Sequence, residues 1–227
     1  MDGSVSEIDY FYRTTQKLNL FMQIATINTL FLDIGGVLLT NGWGRGSRKL
    51  AAEHFNIDLV ELNERHHLTF DTYEIGKISL DEYLERIVFY EKRDFSMEDF
   101  KSFMYKQTSP YNDSIEFFKE IKHKHGLKVV AVNNEGRELN DYRIRQFKLD
   151  ELFDAYASSC YVKFRKPDLD IFRVACDIAR VLPHQAAMVD DRAMFTQVAS
   201  TIGINCLHFD SLDGVKEKMK TLNLHHR

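Results

Sequence analysis

The segment LFLDIGGVLLT, residues 30–40, is an apolar run that is interrupted by Asp33 and then by two glycines. Continuous apolar residues, rather than alternating ones, are typical of a strand that is covered on both faces of a parallel sheet. The two glycines mark a turn directly after the strand. The segment therefore predicts a buried strand with an acidic side chain at its end.

Apolar runs of strand length recur along the chain, and each is followed by a turn and a helical pattern. They cover residues 26–33, 127–134, 154–160, 186–191 and 204–210. Strands that alternate with helices indicate a parallel sheet between layers of helices. The predicted fold class is therefore α/β, with a doubly wound, Rossmann-like core.

Two connecting helices have recognisable ends. One has Asn112, Asp113 and Ser114 as capping candidates and ends at Gly126. The other starts just after Pro167. Both are predicted to be crossover helices.

The interval between the first two predicted strands is much longer than a crossover. It holds about ninety residues, whereas a crossover needs only about a dozen. Four helical patterns with Ser or Asp near their starts fill it. We expect an all-helical cap subdomain at residues 44–110, inserted into a discontinuous α/β core of residues 26–43 and 111–227. Residues 1–25 are predicted to be an N-terminal extension.

Charge and cysteine content limit the classes of partner. Thirty basic and 34 acidic side chains leave a net charge of −4 without a long run of one sign, which argues against nucleic-acid binding. Cys160, Cys176 and Cys206 predict neither a disulfide framework nor a zinc site. The acidic N-terminal segment predicts no signal peptide and no membrane span. We expect a cytoplasmic protein with a small-molecule ligand and no membrane partner.

Polar side chains stand where the predicted strands end, and the ligands of parallel α/β sheets bind beyond the carboxyl ends of the strands. These residues are Asp33, Asn133, Asn134, Lys166, Asp190 and Asp191. Each alone has an ordinary explanation in a turn, a helix cap or a solvated surface. Three carboxylates, two carboxamides and a lysine in the same topological place predict a functional site.

Four segments together resemble the motifs of a known family: FLDIGGVL, VVAVNNEG, RKPDLDIF and AAMVDD, in this order. The chain resembles the haloacid dehalogenase-like (HAD) hydrolase superfamily, in particular its sugar-phosphatase-like branch with a helical C1-type cap inserted after the first strand. The resemblance covers residues 27–210. Each motif alone is a weak signal, and the ordered set is a strong one.

The resemblance implies a magnesium-dependent phosphatase that forms an aspartyl phosphate. Asp33 would be the nucleophile that attacks phosphorus. Lys166 would hold Asp33 ionised and neutralise charge on the transferred group. The magnesium ligands would be Asp33, the backbone carbonyl of Gly35, Asp190 and Asp191.

The same resemblance assigns substrate binding to three further residues. Asn133 and Asn134 would offer amide donors to the phosphoryl oxygens, and the turn at Gly36 would bring backbone N–H groups close to the anion. The implied substrate is a small phosphorylated metabolite, such as a sugar phosphate or another phosphate with a good leaving group.

Three positions depart from the pattern of the family. Gly35 replaces the aspartate that usually protonates the leaving group and then activates water, Asn133 replaces a serine or threonine, and Phe195 replaces a frequent asparagine. General acid–base catalysis contributes about 10²–10⁴-fold to a rate. Gly35 therefore predicts either selectivity for acyl, aryl or anomeric sugar phosphates, or little catalysis.

Two other functions are compatible with the sequence. A catalytically silent protein that binds a phosphometabolite would account for Gly35 and Asn133. A 2-haloacid dehalogenase would also lack the second acid and would need no metal. However, Asp190 and Asp191 would repel Asp33 without a cation, which argues against the dehalogenase.

The segment NGWGRGS, residues 41–47, lacks the glycine spacing of a dinucleotide-binding loop. We expect a flap or hinge into the cap, with Ser47 capping the next helix. Trp43 and Arg45 are expected either to contact substrate or, in the case of Trp43, to pack under the cap. A turn-rich stretch between cap helices is expected to hold Phe70, Tyr73, Glu74 and Lys77.

Overall fold

The structure is a computed structural model of the chain and describes residues 26–225. The predicted N-terminal extension, residues 1–25, lies outside the described residues. Among the helices of residues 26–225, none is both long enough and apolar enough to cross a bilayer.

Five parallel strands form one sheet in the order β3-β2-β1-β4-β5. The strands are β1 (Thr29–Leu32), β2 (Lys128–Ala131), β3 (Ala155–Tyr156), β4 (Ala186–Asp190) and β5 (Asn205–His208). The central strand β1 lies between β2 and β4, and Leu32 pairs with both Ala131 and Val189. The residues that follow these three therefore meet at one edge of the sheet.

Helices cover both faces of the sheet. Within the described residues they are α1 (Arg45–His54), α2 (Leu59–Glu74), α3 (Leu80–Ile87), α4 (Met97–Lys106), α5 (Asn112–His125), α6 (Arg137–Gln146), α7 (Ser159–Val162), α8 (Leu169–Ala179), α9 (Ala193–Ser200) and α10 (Leu212–Met219). In β1, Leu30 and Leu32 pack with Phe118 of α5, whereas Phe31 packs in a second apolar cluster with Phe172 of α8. The predicted α/β fold with a Rossmann-like parallel sheet is confirmed.

The helices α1–α4, residues 45–106, form a helical insert between β1 and α5. The insert has an apolar cluster of its own, in which Tyr83 and Phe100 are fully buried. Ser79 and Ser96 form capping boxes at the starts of α3 and α4, so the polar residues at these starts satisfy the free N–H groups of the first turn. The prediction of inserted helices after the first strand is therefore confirmed.

Two predicted helix caps were wrong. Ser47 lies inside α1 rather than at its start. Residues 112–114 are the first residues of α5, whose N-cap is Tyr111 and has no side-chain hydrogen bond. The hydroxyl of Ser114 instead donates to the carbonyl of Val37 at 2.7 Å, because it faces the core rather than the end of the helix.

Helix α2 is longer than the sequence pattern predicted. Phe70, Tyr73 and Glu74 lie on its last turns rather than in a turn-rich stretch, and the chain turns only at Gly76, where φ is 64°. Thr69 and Tyr73 are both buried, so this face of the helix continues to pack to its end. The local sequence pattern therefore predicted a turn where tertiary packing keeps the chain helical as far as Glu74.

Candidate active site

Asp33, Lys166 and Asp190 form a buried charged centre at the carboxyl ends of β1 and β4. The Nζ atom of Lys166 lies 3.1 Å from Oδ1 of Asp33 and 2.6 Å from Oδ2 of Asp190. Lys166 is 1% exposed and Asp190 is 0% exposed. The two carboxylates lie side by side because Asp33 follows Leu32, and Asp190 follows Val189, the partner of Leu32. One lysine thus bridges two carboxylates away from water.

Burial dominates the electrostatics of this centre. It raises the pKa of the Asp33 carboxyl to about 7, an effect that Lys166 opposes and that Asp190 and Asp191 reinforce. The N–H of Ile34 donates to Oδ1 of Asp33 at 2.8 Å and favours the ionised form. Burial acts to lower the pKa of Lys166, but Asp33 and Asp190 raise it overall. Lys166 is therefore charged, and further positive charge at this place would favour the ionised forms of Asp33 and Asp191, whose pKa values are raised.

Asp191 completes a group of carboxylates that suits a divalent cation. Oxygen atoms of Asp33, Asp190 and Asp191 all lie within 4.8 Å of one another. Three carboxylates against one lysine leave an excess of negative charge, and Mg²⁺ prefers oxygen ligands. The residues present fit a magnesium ion in both charge and donor type.

Gly36 provides the space that Asp191 needs. Its φ is 78°, and a Cβ at this position would lie 2.2 Å from Oδ2 of Asp191. Glycine is therefore required both by the backbone conformation and by the close approach of the carboxylate. The N–H of Gly36 donates to the carbonyl of Leu39 at 2.7 Å, so this donor is already used within the protein.

The two asparagines at the end of β2 are held by protein partners. Asn133 donates through Nδ2 to Oδ1 of Asn140 at 2.9 Å and accepts from the hydroxyl of Ser158 at 2.7 Å. Asn134 donates to the carbonyl of Lys166 and accepts from its N–H, both at 2.8 Å. Asn134 thus fixes the backbone of Lys166, and each carboxamide has a second N–H for another acceptor.

A cavity of about 280 Å³ opens above the charged centre, between the core and the helical insert. Its core side consists of Asp33, Gly35, Asn133, Asn134, Glu135, Arg143, Arg165, Lys166, Asp191, Arg192 and Phe195. Its helical side consists of His66, Phe70, Tyr73, Glu74 and Tyr83, and the loop of residues 41–44 joins the two. The cavity therefore has a charged side and a mainly aromatic side.

The hydroxyl of Tyr83 organises the helical side. It accepts from Nε1 of Trp43 at 2.9 Å and lies 2.7 Å from Nδ1 of His66. Burial lowers the pKa of His66 to about 3, so the imidazole is neutral. Tyr73 stacks on Tyr83 with ring centroids 4.6 Å apart. This side of the cavity is uncharged apart from Glu74.

The helical insert is joined to the core beside Lys166. Arg165 contacts Glu74 through Nη2 at 2.8 Å and also pairs with Asp71 of α2. Burial raises the pKa of Glu74 to about 7, and Arg165 opposes this shift. At Gly136, a Cβ would lie 2.0 Å from Cζ of Tyr73, so the insert rests directly on the core backbone at this point.

Most of the predicted site residues meet around this cavity. Asp190 lies beneath it, bonded to Lys166, and Gly36 lies behind Asp191. Trp43 lines the cavity and also packs edge-on against Phe100 of the insert, with 5.7 Å between the ring centroids. It therefore lies where it can contact a substrate and also packs under the helical insert. The described lining residues do not include Arg45 or Lys77.

Several lining residues were missed by the sequence analysis. They are Asn41, His66, Tyr83, Glu135, Arg143, Arg165 and Arg192. Glu135 and Arg165 directly adjoin residues that were identified, and this adjacency was an available signal. Arg143 gave no signal because it lies on α6 and reaches the site through the fold. Phe195 also lines the cavity, with its ring centroid 5.2 Å from Nζ of Lys166.

Comparison with known proteins agrees with this fold. Residues 27–194 match the haloacid dehalogenase-like hydrolase family. The chain therefore belongs to this family of hydrolases, and the predicted resemblance is confirmed.

Individual relatives differ in their reactions. The chain is 28% identical over 124 residues to (S)-2-haloacid dehalogenase 4A of Burkholderia cepacia, and this match covers 52% of this chain and 53% of the relative. It is 25% identical over 132 residues to a phosphorylated carbohydrates phosphatase of Thermotoga maritima, which covers 58% of this chain and 56% of the relative. The chain thus matches about half the length of these curated relatives.

The fold has a solved counterpart of nearly the same extent. A HAD-family enzyme of Bacteroides thetaiotaomicron, solved with magnesium and inorganic phosphate, superimposes with a TM-score of 0.70 and 19% identity. The superposition covers 83% of this chain and 98% of that one. At this identity, the similarity establishes the common fold.

Proposed function

We propose that this protein is a magnesium-dependent phosphatase that acts on a small phosphorylated metabolite through an aspartyl phosphate. The supporting observation is the buried Lys166 between Asp33 and Asp190, with Asp191 completing three carboxylates within 4.8 Å of one another. Positive charge and aimed donors are the main requirements of phosphoryl transfer.

The proposed reaction has two displacements at phosphorus. A carboxylate oxygen of Asp33 bonds to phosphorus while the bond to the leaving oxygen breaks. Water then attacks the same phosphorus, which restores the Asp33 carboxylate and releases inorganic phosphate together with the proton of the water. Lys166 neutralises charge on the phosphoryl oxygens throughout, and the second N–H groups of Asn133 and Asn134 donate to them.

A magnesium ion would be held by Asp33, the Gly35 carbonyl, Asp190 and Asp191. When bound, it supplies the positive charge that the three carboxylates require and that the phosphoryl group shares. The chain around this site contributes the geometry: Gly36 admits Asp191, and Asn134 fixes the backbone of Lys166.

We further propose that residues 44–110 act as the cap of a core made of residues 26–43 and 111–227. The support is the cavity between the helical insert and the core. The aromatic side of this cavity would shield the reacting atoms from water. Two relatives favour small phosphorylated substrates by analogy: one is a phosphatase of phosphorylated carbohydrates, and the other was solved with magnesium and phosphate.

The test is phosphate release by the purified protein, with and without magnesium, from acetyl phosphate, p-nitrophenyl phosphate, anomeric sugar phosphates and alkyl monoesters. We expect magnesium-dependent turnover of the good leaving groups and a loss on the order of 10³-fold or more in Asp33→Asn. Asp213→Asn, whose side chain is 94% exposed, is the matched control. Unchanged release in Asp33→Asn would refute the proposal.

Dehalogenation is the second candidate, because a curated relative is a 2-haloacid dehalogenase and Gly35 leaves this site without the second acid that the phosphatase pattern predicts. Chloride release from 2-chloropropionate that persists in excess chelator would favour it over the phosphatase. Calorimetry that detects magnesium-dependent binding of a phosphometabolite, without turnover, would favour a silent binding protein instead.

A further inference from the structure

The space that a second catalytic acid would occupy is already filled. A Cβ on Gly35 would lie 2.7 Å from Oδ1 of Asn41 and 3.8 Å from Nη2 of Arg143. The carboxamide of Asn41 also opposes the rise in the pKa of Asp191 that burial causes. Gly35 is therefore more than a lost carboxylate, because a carboxamide stands where its side chain would begin and a guanidinium lies in van der Waals contact with that space.

Arg143 is buried and firmly oriented. Its side chain is 3% exposed, Nη1 donates to Oε2 of Glu135 at 2.7 Å, and Nη2 donates to the carbonyl of Thr40 at 2.6 Å. Its Nε is buried and has no hydrogen-bond partner among the described residues. A buried donor without a partner is costly, so the position favours an additional acceptor in the cavity that Arg143 lines.

Glu135 balances the charge of Arg143 and is poorly suited to replace the missing acid. Its Oε2 accepts from Arg143, and its Oε1 accepts from the N–H of Gly136 at 3.1 Å. Both carboxylate oxygens of Glu135 thus already accept hydrogen bonds. The guanidinium of Arg143 is therefore the group that can interact with an oxygen of a bound substrate. Glu135 is a positioning residue in this arrangement.

We propose, on the basis of the phosphatase function above, that Arg143 stabilises the oxygen that leaves phosphorus. The Asp33 oxygen bonds to phosphorus, the bond from phosphorus to the leaving oxygen breaks, and that oxygen keeps the electron pair as an anion beside Arg143. No proton is transferred in this step. The substrate class is therefore phosphates whose leaving group departs as a stable oxyanion: acyl, enol and aryl phosphates.

The test is a series of aryl phosphates whose phenols range in acidity from p-nitrophenol to phenol. The variant is the charge-neutral pair Glu135→Gln with Arg143→Met, which leaves no unpaired buried charge. We expect its loss of kcat/KM to grow along the series, on the order of tenfold larger for phenyl than for p-nitrophenyl phosphate. Arg93→Lys, at a partly buried arginine of the helical insert, is the control.

The outcomes separate this inference from the proposed function. A loss that is equal across the series means a purely structural role for Arg143 and overturns the inference while the phosphatase stands. No magnesium-dependent turnover of any substrate in the wild type overturns both. Urea unfolding of the double variant verifies that it is folded before its kinetics are compared.

A second variant adds a carboxyl group at Gly35 instead of removing the guanidinium of Arg143. Gly35→Asp combined with Asn41→Ala makes room for an acid, and Gly35→Ala with Asn41→Ala is its matched control without a carboxyl group. We expect the acid to improve phenyl phosphate relative to p-nitrophenyl phosphate, because protonation helps poor leaving groups most. An unchanged ratio would show that this space does not face the leaving oxygen.

Discussion

The core side and the helical side of the cavity are held in place by different means. On the core side, the charged groups stand at the ends of neighbouring strands, and strand pairing sets Asp33 beside Asp190. On the helical side, uncharged rings are arranged around one hydroxyl, that of Tyr83. The difference indicates that the chemistry depends on the sheet, whereas the shape of the substrate space depends on side-chain packing in the insert.

This separation predicts that changes on the core side affect the reaction and changes on the helical side affect stability or substrate binding. Electrostatic interactions are strong on the core side because the charges are buried. The aromatic side contributes apolar area and hydrogen bonds between neutral groups. Four substitutions test the contrast, and they are ordered by expected effect.

Lys166→Met should have the largest effect, because it leaves Asp33 and Asp190 buried without their cation. We expect phosphate release to fall on the order of 10²–10³-fold and the unfolding free energy in the absence of magnesium to fall by about 3–5 kcal/mol. Urea unfolding and phosphate release measure the two effects. Lys216→Met, at a half-buried lysine of α10, is the control. Equal results for the two variants would contradict the contrast.

Glu74→Gln should alter the pH dependence of stability. Burial raises the pKa of Glu74 from 4.5 to about 7, so the folded protein holds this proton more tightly than the unfolded chain. The resulting stability is complete below pH 4.5 and is lost as the pH rises through 7. As the pH rises, the unfolding free energy of the wild type should therefore fall more steeply than that of Glu74→Gln, by up to about 1.4 kcal/mol per pH unit.

Urea titrations between pH 5 and 8 measure this difference. The other carboxyl groups whose pKa is raised, those of Asp33, Glu135 and Asp191, are present in both proteins. Glu82→Gln is a useful control, because its hydrogen bonds to Ser79 lower the pKa of Glu82 and place its titration below this interval. Parallel curves for wild type and Glu74→Gln would show that Glu74 is not protonated by burial.

Tyr83→Phe should destabilise the helical side without affecting the charged centre. The substitution removes the partner of both Trp43 Nε1 and His66 Nδ1, and a buried unpaired polar group costs about 1–3 kcal/mol. Urea unfolding measures the loss. Tyr90→Phe, on an exposed tyrosine, is expected to stay within about 0.5 kcal/mol of wild type. A large fall in kcat with an unchanged unfolding free energy would contradict the proposed division between a core side that serves the reaction and a helical side that serves stability and substrate binding.

Arg165→Met should have the smallest effect, on the contact between the two sides. Loss of the pairs to Glu74 and Asp71 loosens the insert beside Lys166, and we expect KM to rise about tenfold while kcat changes little. Steady-state kinetics measure this split. Arg173→Met, at an exposed ion pair of α8, is the control. A fall in kcat with unchanged KM would mean that Arg165 acts on the reaction itself.

The core side could be predicted from the sequence because its residues lie at the ends of recognisable apolar runs. Asp33, Asp190 and Asp191 required only the rule that parallel strands end together. Lys166 follows the short helix α7 rather than a strand, and its role was identified through the family motif RKPDLDIF. The fold class followed from continuous apolar runs that alternate with helices.

The rest of the site depends on contacts between distant parts of the chain. Arg143 reaches the carbonyl of Thr40 across 103 residues, and Arg165 reaches Glu74 across 91 residues. No local pattern marks such contacts. The end of α2 was misjudged because the packing of Tyr73 carries the helix past Phe70, as far as the turn at Gly76.

The close approach of Tyr73 to Gly136 has a consequence for protein engineering. The insert is fitted to one bare position of the core backbone, where a Cβ would lie only 2.0 Å from the Tyr73 ring. A chimera that exchanges residues 45–106 for the insert of a relative must therefore choose residue 136 to match its new neighbour. The part of this protein that must be exchanged together is therefore defined by the contact surface between the insert and the core. That surface includes residue 136, which lies outside the continuous segment 45–106.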